Sequence, residues 1–254
     1  MLTAAVQPTP GVAVRKILFA AVLVVLVVGA APAAGASSAG IQHAPNHKVT
    51  RSTSTNWAGY AAINTTFTSV SASWKQPTAT CTGSQTYSSF WVGLDGYSSN
   101  SVEQTGTDAD CSASGTPTYY AWYEMYPKFP VNLSPTTYPV APGDTITASV
   151  TFSGKNSFAL TIADSTKHWT FTTTQKSGKA ARSSAEVIAE APSSSGGVLP
   201  LTNFGTVGFT NATANGQALS TFSPDKIDMV SGTTTKATTS AINGGSFSVA
   251  WKHA

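Results

Sequence analysis

Val70-Ser71-Ala72-Ser73-Trp74 alternates apolar with small polar side chains. A period of two puts Val70, Ala72 and Trp74 on one face and the two serines on the other, the mark of a half-buried strand. The same strand-like character recurs outward along the chain. Ser88 to Leu94, Thr145 to Phe152, Ser157 to Ala163, Trp169 to Thr173 and Ser246 to Trp251 are further strand candidates. Turn chemistry separates them at Pro142-Gly143-Asp144, Ser153-Gly154-Lys155-Asn156, Asn215-Gly216 and Asn243-Gly244-Gly245. No segment keeps a helical apolar period for three turns. Many short strands with regular turns predict an all-β sandwich or barrel.

The N-terminus reads differently. Arg15 and Lys16 precede an apolar run from Ile17 to Ala31, and small residues follow at Ala34-Gly35-Ala36. That order is what a secretory signal peptide needs, so residues 1–36 are expected to be removed on export and the protein to be secreted. An uncleaved membrane anchor is the alternative, but a run of about 15 residues falls short of the ~20 that span a bilayer. Residues 37–49 are small, polar and aperiodic, and read as a flexible lead-in. With no internal repeat and no clear linker, residues 50–254 read as one domain. Pro192 to Gly197 reads as a mobile Ser/Gly loop.

Loss of Arg15 and Lys16 lowers the formal charge from +3 to +1, so nothing supports a basic face for nucleic acid. Charged residues make up only 10% of the chain, and Ser and Thr take their place. Acid unfolds proteins largely by protonating carboxylates that the native state keeps ionised. A chain with eleven acids has little to lose in that way. Cys81 and Cys111 are the only cysteines, and export favours a disulfide between them over a two-thiol metal site that lacks nearby histidines. Closing a loop of about 30 residues contributes on the order of 3–4 kcal/mol in the chain-entropy model.

Three of the four histidines (His43, His47 and His253) lie in expected tails, and His168 sits in no nucleophile or metal motif. Chemistry by a Ser-His-Asp or Cys-His set therefore has poor support, and no metal or phosphate-loop motif is present. Any catalysis would fall to carboxylates and amides. The glutamates are Glu103, Glu124, Glu186 and Glu190. On a strand through Ala185-Glu186-Val187-Ile188-Ala189-Glu190, both acids share a face with Ile188, while Ala185, Val187 and Ala189 share the other. Ordinary solvent-facing glutamates are the plainer reading. In Tyr119 to Tyr126, alternation groups Trp122, Glu124 and Tyr126, which suits either a cleft floor or a core strand with one satisfied carboxylate. Gly93 and Gly96 permit close backbone approach in Trp91-Val92-Gly93-Leu94-Asp95-Gly96. Gln104, before Thr105-Gly106, would ordinarily be a surface residue.

Taken in order, Asn56-Trp57-Ala58-Gly59, Trp91 to Gly96, Gln104-Thr105-Gly106 with Asp108, Ala121-Trp122-Tyr123-Glu124 and Ala185-Glu186 through Glu190 resemble the glutamic peptidases, or eqolisins. The resemblance implies an antiparallel β-sandwich of two bent sheets with a concanavalin A-like, lectin-like architecture. It also implies an acid endopeptidase acting on polypeptides with Gln104 and Glu190 as its catalytic pair. Trp57, Trp91, Asp95, Trp122 and Glu124 map to the substrate-binding cleft. No cofactor or metal is implied, no nucleic-acid or membrane partner after signal removal, and the protein is expected to act as a monomer. The fungal cysteine pattern is not reproduced, and Tyr120 stands where the family usually has an aspartate. A glycoside hydrolase on the same architecture is the first alternative. Glu124 with Glu190 could be its acid pair, but Glu186 with Glu190 could not be a retaining pair. Their Cα atoms are about 13 Å apart on a strand, whereas retaining carboxyls lie ~5–5.5 Å apart. The second alternative is a non-catalytic binding module that uses the tryptophan surface.

Overall fold

A computed structural model describes residues 1, 40–43 and 52–254. The expected signal peptide and most of the lead-in lie outside the described residues. The strands of the first half are β1 (Thr53–Ser54), β2 (Trp57–Ala62), β3 (Ser69–Lys75), β4 (Ser89–Leu94), β5 (Val102–Cys111), β6 (Pro117–Tyr126), β7 (Val131–Asn132), β8 (Thr145–Gly154) and β9 (Ser157–Asp164). Those of the second half are β10 (Trp169–Lys176), β11 (Ala185–Glu190), β12 (Ser193–Ser194), β13 (Gly197–Val198), β14 (Thr206–Ala214), β15 (Gln217–Ala218), β16 (Asp225–Ser231), β17 (Thr234–Thr239) and β18 (Phe247–Trp251). The helical content of the described residues is one 3₁₀ turn at Leu219–Phe222, and no helix there is long and apolar enough to cross a membrane.

Hydrogen bonding runs continuously through β10-β9-β8-β3-β14-β18-β17-β16-β2-β11-β4-β5-β6-β7. A register shift between Met229 and Val230, where β16 meets β17, marks the passage from one half of this ribbon to the other. The halves then stack face to face, with β4 and β5 against β8 and β9, and β11 against β3. The result is the antiparallel sandwich, and every strand candidate read from the sequence lies within or overlaps one of these strands.

Alternation decides what fills the space between the layers. Val70, Ala72 and Trp74 of β3, Ile146, Ala148 and Val150 of β8, and Phe158, Leu160 and Ile162 of β9 meet Phe90, Val92 and Leu94 of β4 and Ala185, Val187 and Ala189 of β11. The outer strand β10 shows the solvated case, with Thr170, Thr172 and Thr174 exposed and Trp169, Phe171 and Thr173 turned partly inward. The second sheet differs, because β2, β4, β5 and β11 are buried on both faces. Its outer face carries a separate cluster of Trp57, Ala61, Trp91, Val102, Trp122, Ile188 and Ile227. A solvent-facing reading of Glu186 and Glu190 is thereby overturned, since both are fully buried.

Two stretches differ from expectation. Within Pro192 to Gly197, Ser193 and Ser194 pair with Val198 and Gly197 to form a small hairpin rather than an unstructured loop. Residues 40–43 of the lead-in pack against the sheet: Gln42 and Ser193 exchange backbone hydrogen bonds at 2.8 and 2.9 Å. Cys81 and Cys111 form the expected disulfide, with Cα atoms 5.4 Å apart, tying the loop before β4 to the end of β5.

Candidate active site

The outer face of the second sheet collects the polar residues. Gln104 on β5 lies opposite Glu124 on β6 and, on its other side, opposite Gly93 on β4. Further along the same strands, Asp108 lies opposite Ser89, which in turn lies opposite Glu190 on β11. Directly opposed residues share a face, so Gln104, Asp108, Glu124 and Glu190 all point outward from the core. Glycines make room for the tryptophans among them. A Cβ on Gly106 would lie 2.3 Å from the Phe90 carbonyl oxygen and 2.6 Å from Trp91 Cβ, and one on Gly93 would lie 2.9 Å from the Trp91 ring. Larger residues at either position would displace Trp91.

Trp91 matters because its Nε1 donates to Glu190 Oε2 at 2.7 Å, while Asn56 Nδ2 donates to Glu190 Oε1 at 3.0 Å. Trp57 packs edge-on against Trp91, with ring centroids 5.0 Å apart. Burial pushes the Glu190 carboxyl well above the usual carboxylate range, against the pull of His43 and the Trp91 hydrogen bond, and the charge of Glu124 adds to the rise. A carboxyl so placed can hold a proton in mild acid and give it up when a cation or donor approaches.

A second network centres on Glu124 and Asp108. Glu124 Oε2 accepts from Gln104 Nε2 at 3.2 Å, from the His43 backbone N–H at 2.9 Å and from His43 Nδ1 at 3.1 Å. Asp108 Oδ1 accepts from Trp122 Nε1 at 2.6 Å, and Asp108 Oδ2 from the Tyr120 hydroxyl at 2.8 Å. That hydroxyl is also 2.9 Å from Asp110 Oδ2. One O–H proton cannot serve two carboxylates. Burial first, and then the charge of Asp108, push the Asp110 carboxyl well up. The raised proton affinity of Asp110 eases the sharing of that one hydroxyl between the two carboxyls. Tyr120, which stands where the resemblance leads one to expect an aspartate, thus orients a carboxylate of the site.

His43 lies over this floor. Its imidazole stacks on Trp122 with centroids 3.8 Å apart and planes 5° from parallel. Its Nε2 is 3.3 Å from Asp108 Oδ2, and its carbonyl accepts from Gln104 Nε2. Burial works against the imidazolium, but Asp108 and Glu124 outweigh it and hold His43 protonated well above the ordinary range.

Of the residues singled out in the sequence, Gln104, Glu124, Glu190, Trp57, Trp91 and Trp122 share this outer face. Asp95 does not join them. It has a left-handed φ of 72° at the end of β4, and its carboxylate accepts from the backbone N–H groups of Arg182 and Ser183 at 2.7 and 2.9 Å and from the Ser183 hydroxyl at 3.1 Å. It pins the approach to β11 instead. Asn56, Asp108 and Tyr120 were visible as motif neighbours but not as site residues, and the placing of His43 has no signal in the sequence pattern.

Residues 55–251 match the family model described as the Peptidase A4 family. Aspergillopepsin-2 of Aspergillus niger is 31% identical over 184 residues, 63% of this chain and 64% of the relative. Scytalidopepsin B of Scytalidium lignicola is 33% identical over 162 residues, 61% of this chain and 60% of the relative. The chain thus spans somewhat under two thirds of the length of these curated relatives. Among solved structures, scytalido-glutamic peptidase with a transition-state-analogue inhibitor superposes with a TM-score of 0.68 at 28% identity, covering 78% of this chain and 98% of that one. The aspergilloglutamic peptidase of Aspergillus niger gives 0.58 at 30% identity, covering 65% and 99%. The chain belongs to the Peptidase A4 family, the glutamic peptidases.

Proposed function

We propose that this protein is a secreted acid endopeptidase in which Glu190 and Gln104 hydrolyse peptide bonds of a polypeptide substrate. The observation that carries the reading is the hydrogen bond from Gln104 Nε2 to a peptide carbonyl, that of His43, with Glu190 on the same outer face of the sheet. An amide donor on a peptide carbonyl and a carboxyl on the same face of the sheet are the groups that acyl transfer to water requires.

In this reading, Glu190 gives up its proton when a cation or donor approaches, takes one from the attacking water and later returns it to the leaving amine, so one carboxyl serves as base and then as acid. The Asn56 and Trp91 hydrogen bonds hold its two oxygens in place. The Gln104 amide stabilises the developing oxyanion with a donor whose charge state does not change with pH, and Glu124 orients that amide through Oε2. Trp57, Trp91 and Trp122 give an extended peptide an aromatic floor. Residues 1–36 are read as the export signal and 50–254 as the catalytic domain.

Incubation with a denatured protein substrate at about pH 3 and about pH 7, beside a panel of polysaccharides, tests the proposal. Proteolysis confined to the acid samples is the expected result. Sugar release without proteolysis, or no turnover of protein at either pH, would overturn it.

A further inference from the structure

Burial sorts the charges of this chain by sign. Of its eleven carboxyl side chains nine are buried, and the other two, Asp225 and Asp228, are half-buried. Cations sit outside, and four of them gather at one end of the first sheet. Lys155 lies in the β8–β9 turn, Lys176 ends β10, and Lys179 and Arg182 follow in the loop that crosses to β11. Lys176 is opposite Ser157, just after that turn, and the Ser177 N–H donates to the Asn156 carbonyl at 2.9 Å, which ties loop to turn. The Arg182 guanidinium stands 4.0 Å over the Phe152 ring in the same hairpin. Lys179 is three residues from both Lys176 and Arg182, hence within about 11 Å of each along the chain. The three lysines are exposed and Arg182 is half-buried. The lysine–carboxylate pairs among the described residues, Lys167 with Asp144 and Lys226 with Asp228, involve none of the four. Beneath the loop, burial pushes Glu103 up to about 8 and raises Glu186 as well. That leaves the carboxylate of Asp95, already bound to the Arg182 and Ser183 N–H groups, to oppose four positive charges in acid.

We propose that Lys155, Lys176, Lys179 and Arg182 form a docking surface for a linear phosphodiester polymer without bases, of the poly(glycerol phosphate) type, which holds the protein in place while its catalytic face stays open. Complementarity of charge sets the sign of the partner. Point charges on long stems, spread over a turn and a loop, suit a repeating anion better than a single bound one. The backbone adds a second observation: Lys155 and Arg182 have left-handed φ of 49° and 54°, where glycine or asparagine is easier. Turn geometry alone would not place cations there. The choice of phosphate rests on the acid-peptidase reading, because carboxylates with ordinary values near 4 lose their charge in acid, whereas a phosphate diester keeps it. The large apolar side chains exposed among the described residues are Met1, Phe129 and Val131, none of them in this patch. Nothing here stacks a base or inserts into a bilayer. Gln104 and Glu190 face outward from the second sheet, so a polymer on this end of the first leaves them uncovered.

The test titrates the secreted chain with dye-labelled synthetic poly(glycerol phosphate) at about pH 4 and low salt. Binding should weaken with salt, the slope of log K against log salt being about −2 to −3 for three or four phosphate contacts. The variant Lys155→Gln/Lys176→Gln/Lys179→Gln keeps the Arg182–Phe152 stack. With its fold confirmed by circular dichroism, it should bind at least tenfold more weakly and digest protein at the parental rate. Lys75→Gln/Lys252→Gln, which alters two exposed lysines outside the patch, should bind as the parent does. No binding by the parent, or equal binding by the triple variant, would overturn the surface, and proteolysis in the same samples would leave the peptidase reading intact. Binding that needs the three lysines, without proteolysis, would support the surface and overturn the peptidase reading instead. Tighter binding of single-stranded DNA with as many phosphates, or of vesicles containing anionic lipid, would overturn the choice of partner. Equal binding of polygalacturonate at about pH 3 would overturn the choice of phosphate.

Discussion

The imidazole of His43 and the indole of Trp122 lie 3.8 Å apart and 5° from parallel, although 79 positions separate them in the chain. The stack joins a leader residue to the strand that carries Glu124, and through Asp108 and Gln104 to the rest of the site. What the sheet contributes is a row of carboxylates and one amide on a face closed to water. What the leader contributes is the cation that makes their burial tolerable.

Removing the amide should affect rate more than binding. Gln104→Ala loses the donor aimed at the carbonyl, and loss of one oxyanion donor typically costs about 3–4 kcal/mol of barrier. Steady-state kinetics on a peptide substrate should show kcat lower by about 10²–10³-fold with KM changed little. A rise in KM at constant kcat would assign Gln104 to substrate binding only.

The buried acids away from the tryptophans set a pH dependence of stability. Neither oxygen of Glu103 nor of Glu186 makes a well-formed hydrogen bond. Burial, reinforced by the charge of Asp95, pushes Glu103 up from 4.5 to about 8, and burial also lifts Glu186 well above its ordinary value. A raised folded-state value means that the folded chain keeps a proton the unfolded chain has already released. Stability is therefore full below about pH 4.5 and declines as pH rises toward about 8. A tenfold difference in proton affinity between the folded and unfolded chain is worth ~1.4 kcal/mol, so the decline amounts to several kcal/mol. Glu103→Gln should leave the melting temperature unchanged near pH 4 and raise it near pH 9. A lower melting temperature for the variant at pH 9 would contradict this account.

Tyr120→Phe removes the hydroxyl that links Asp110 to Asp108. A buried acceptor left without its donor costs about 1–3 kcal/mol. Chemical denaturation at about pH 4 should show a loss of that order, with catalytic rate reduced less than in Gln104→Ala. Unchanged stability would mean that the hydroxyl does not hold the two carboxyls.

Opening the Cys81–Cys111 bridge should cost on the order of 3–4 kcal/mol by the chain-entropy argument for a loop of this length. Denaturant titration of Cys81→Ser/Cys111→Ser against the parent measures it. An unchanged midpoint would mean that the bridge contributes nothing to stability.

Alternation carried most of the architecture. Val70 to Trp74 and Thr145 to Ala163 alternate because one face meets the core and the other meets water or the polar outer face. The same rule separated Ala185, Val187 and Ala189 from Glu186, Ile188 and Glu190. It went wrong on exposure at Glu190, because a period of two says which residues share a face and not what covers that face. Here Asn56, Trp57 and Trp91 pack around it. Asp95 was misleading for a related reason: its neighbours in the motif face the site, but a left-handed turn at the strand end sends its carboxylate to Arg182 and Ser183. His43 was illegible because its place depends on the pairing of its neighbour Gln42 with Ser193, far away in the chain, which no local pattern encodes.

The central claim is that the carboxyl of Glu190 performs the chemistry. The most direct measurement is the rate of proteolysis by Glu190→Gln against that of the parent chain. Gln keeps the shape and the Trp91 contact but can neither take nor return a proton. The account predicts a fall of at least about 10³-fold at acid pH, with a folded chain whose melting temperature at pH 7 is unchanged or higher. Retention of parental activity by the folded variant would contradict it.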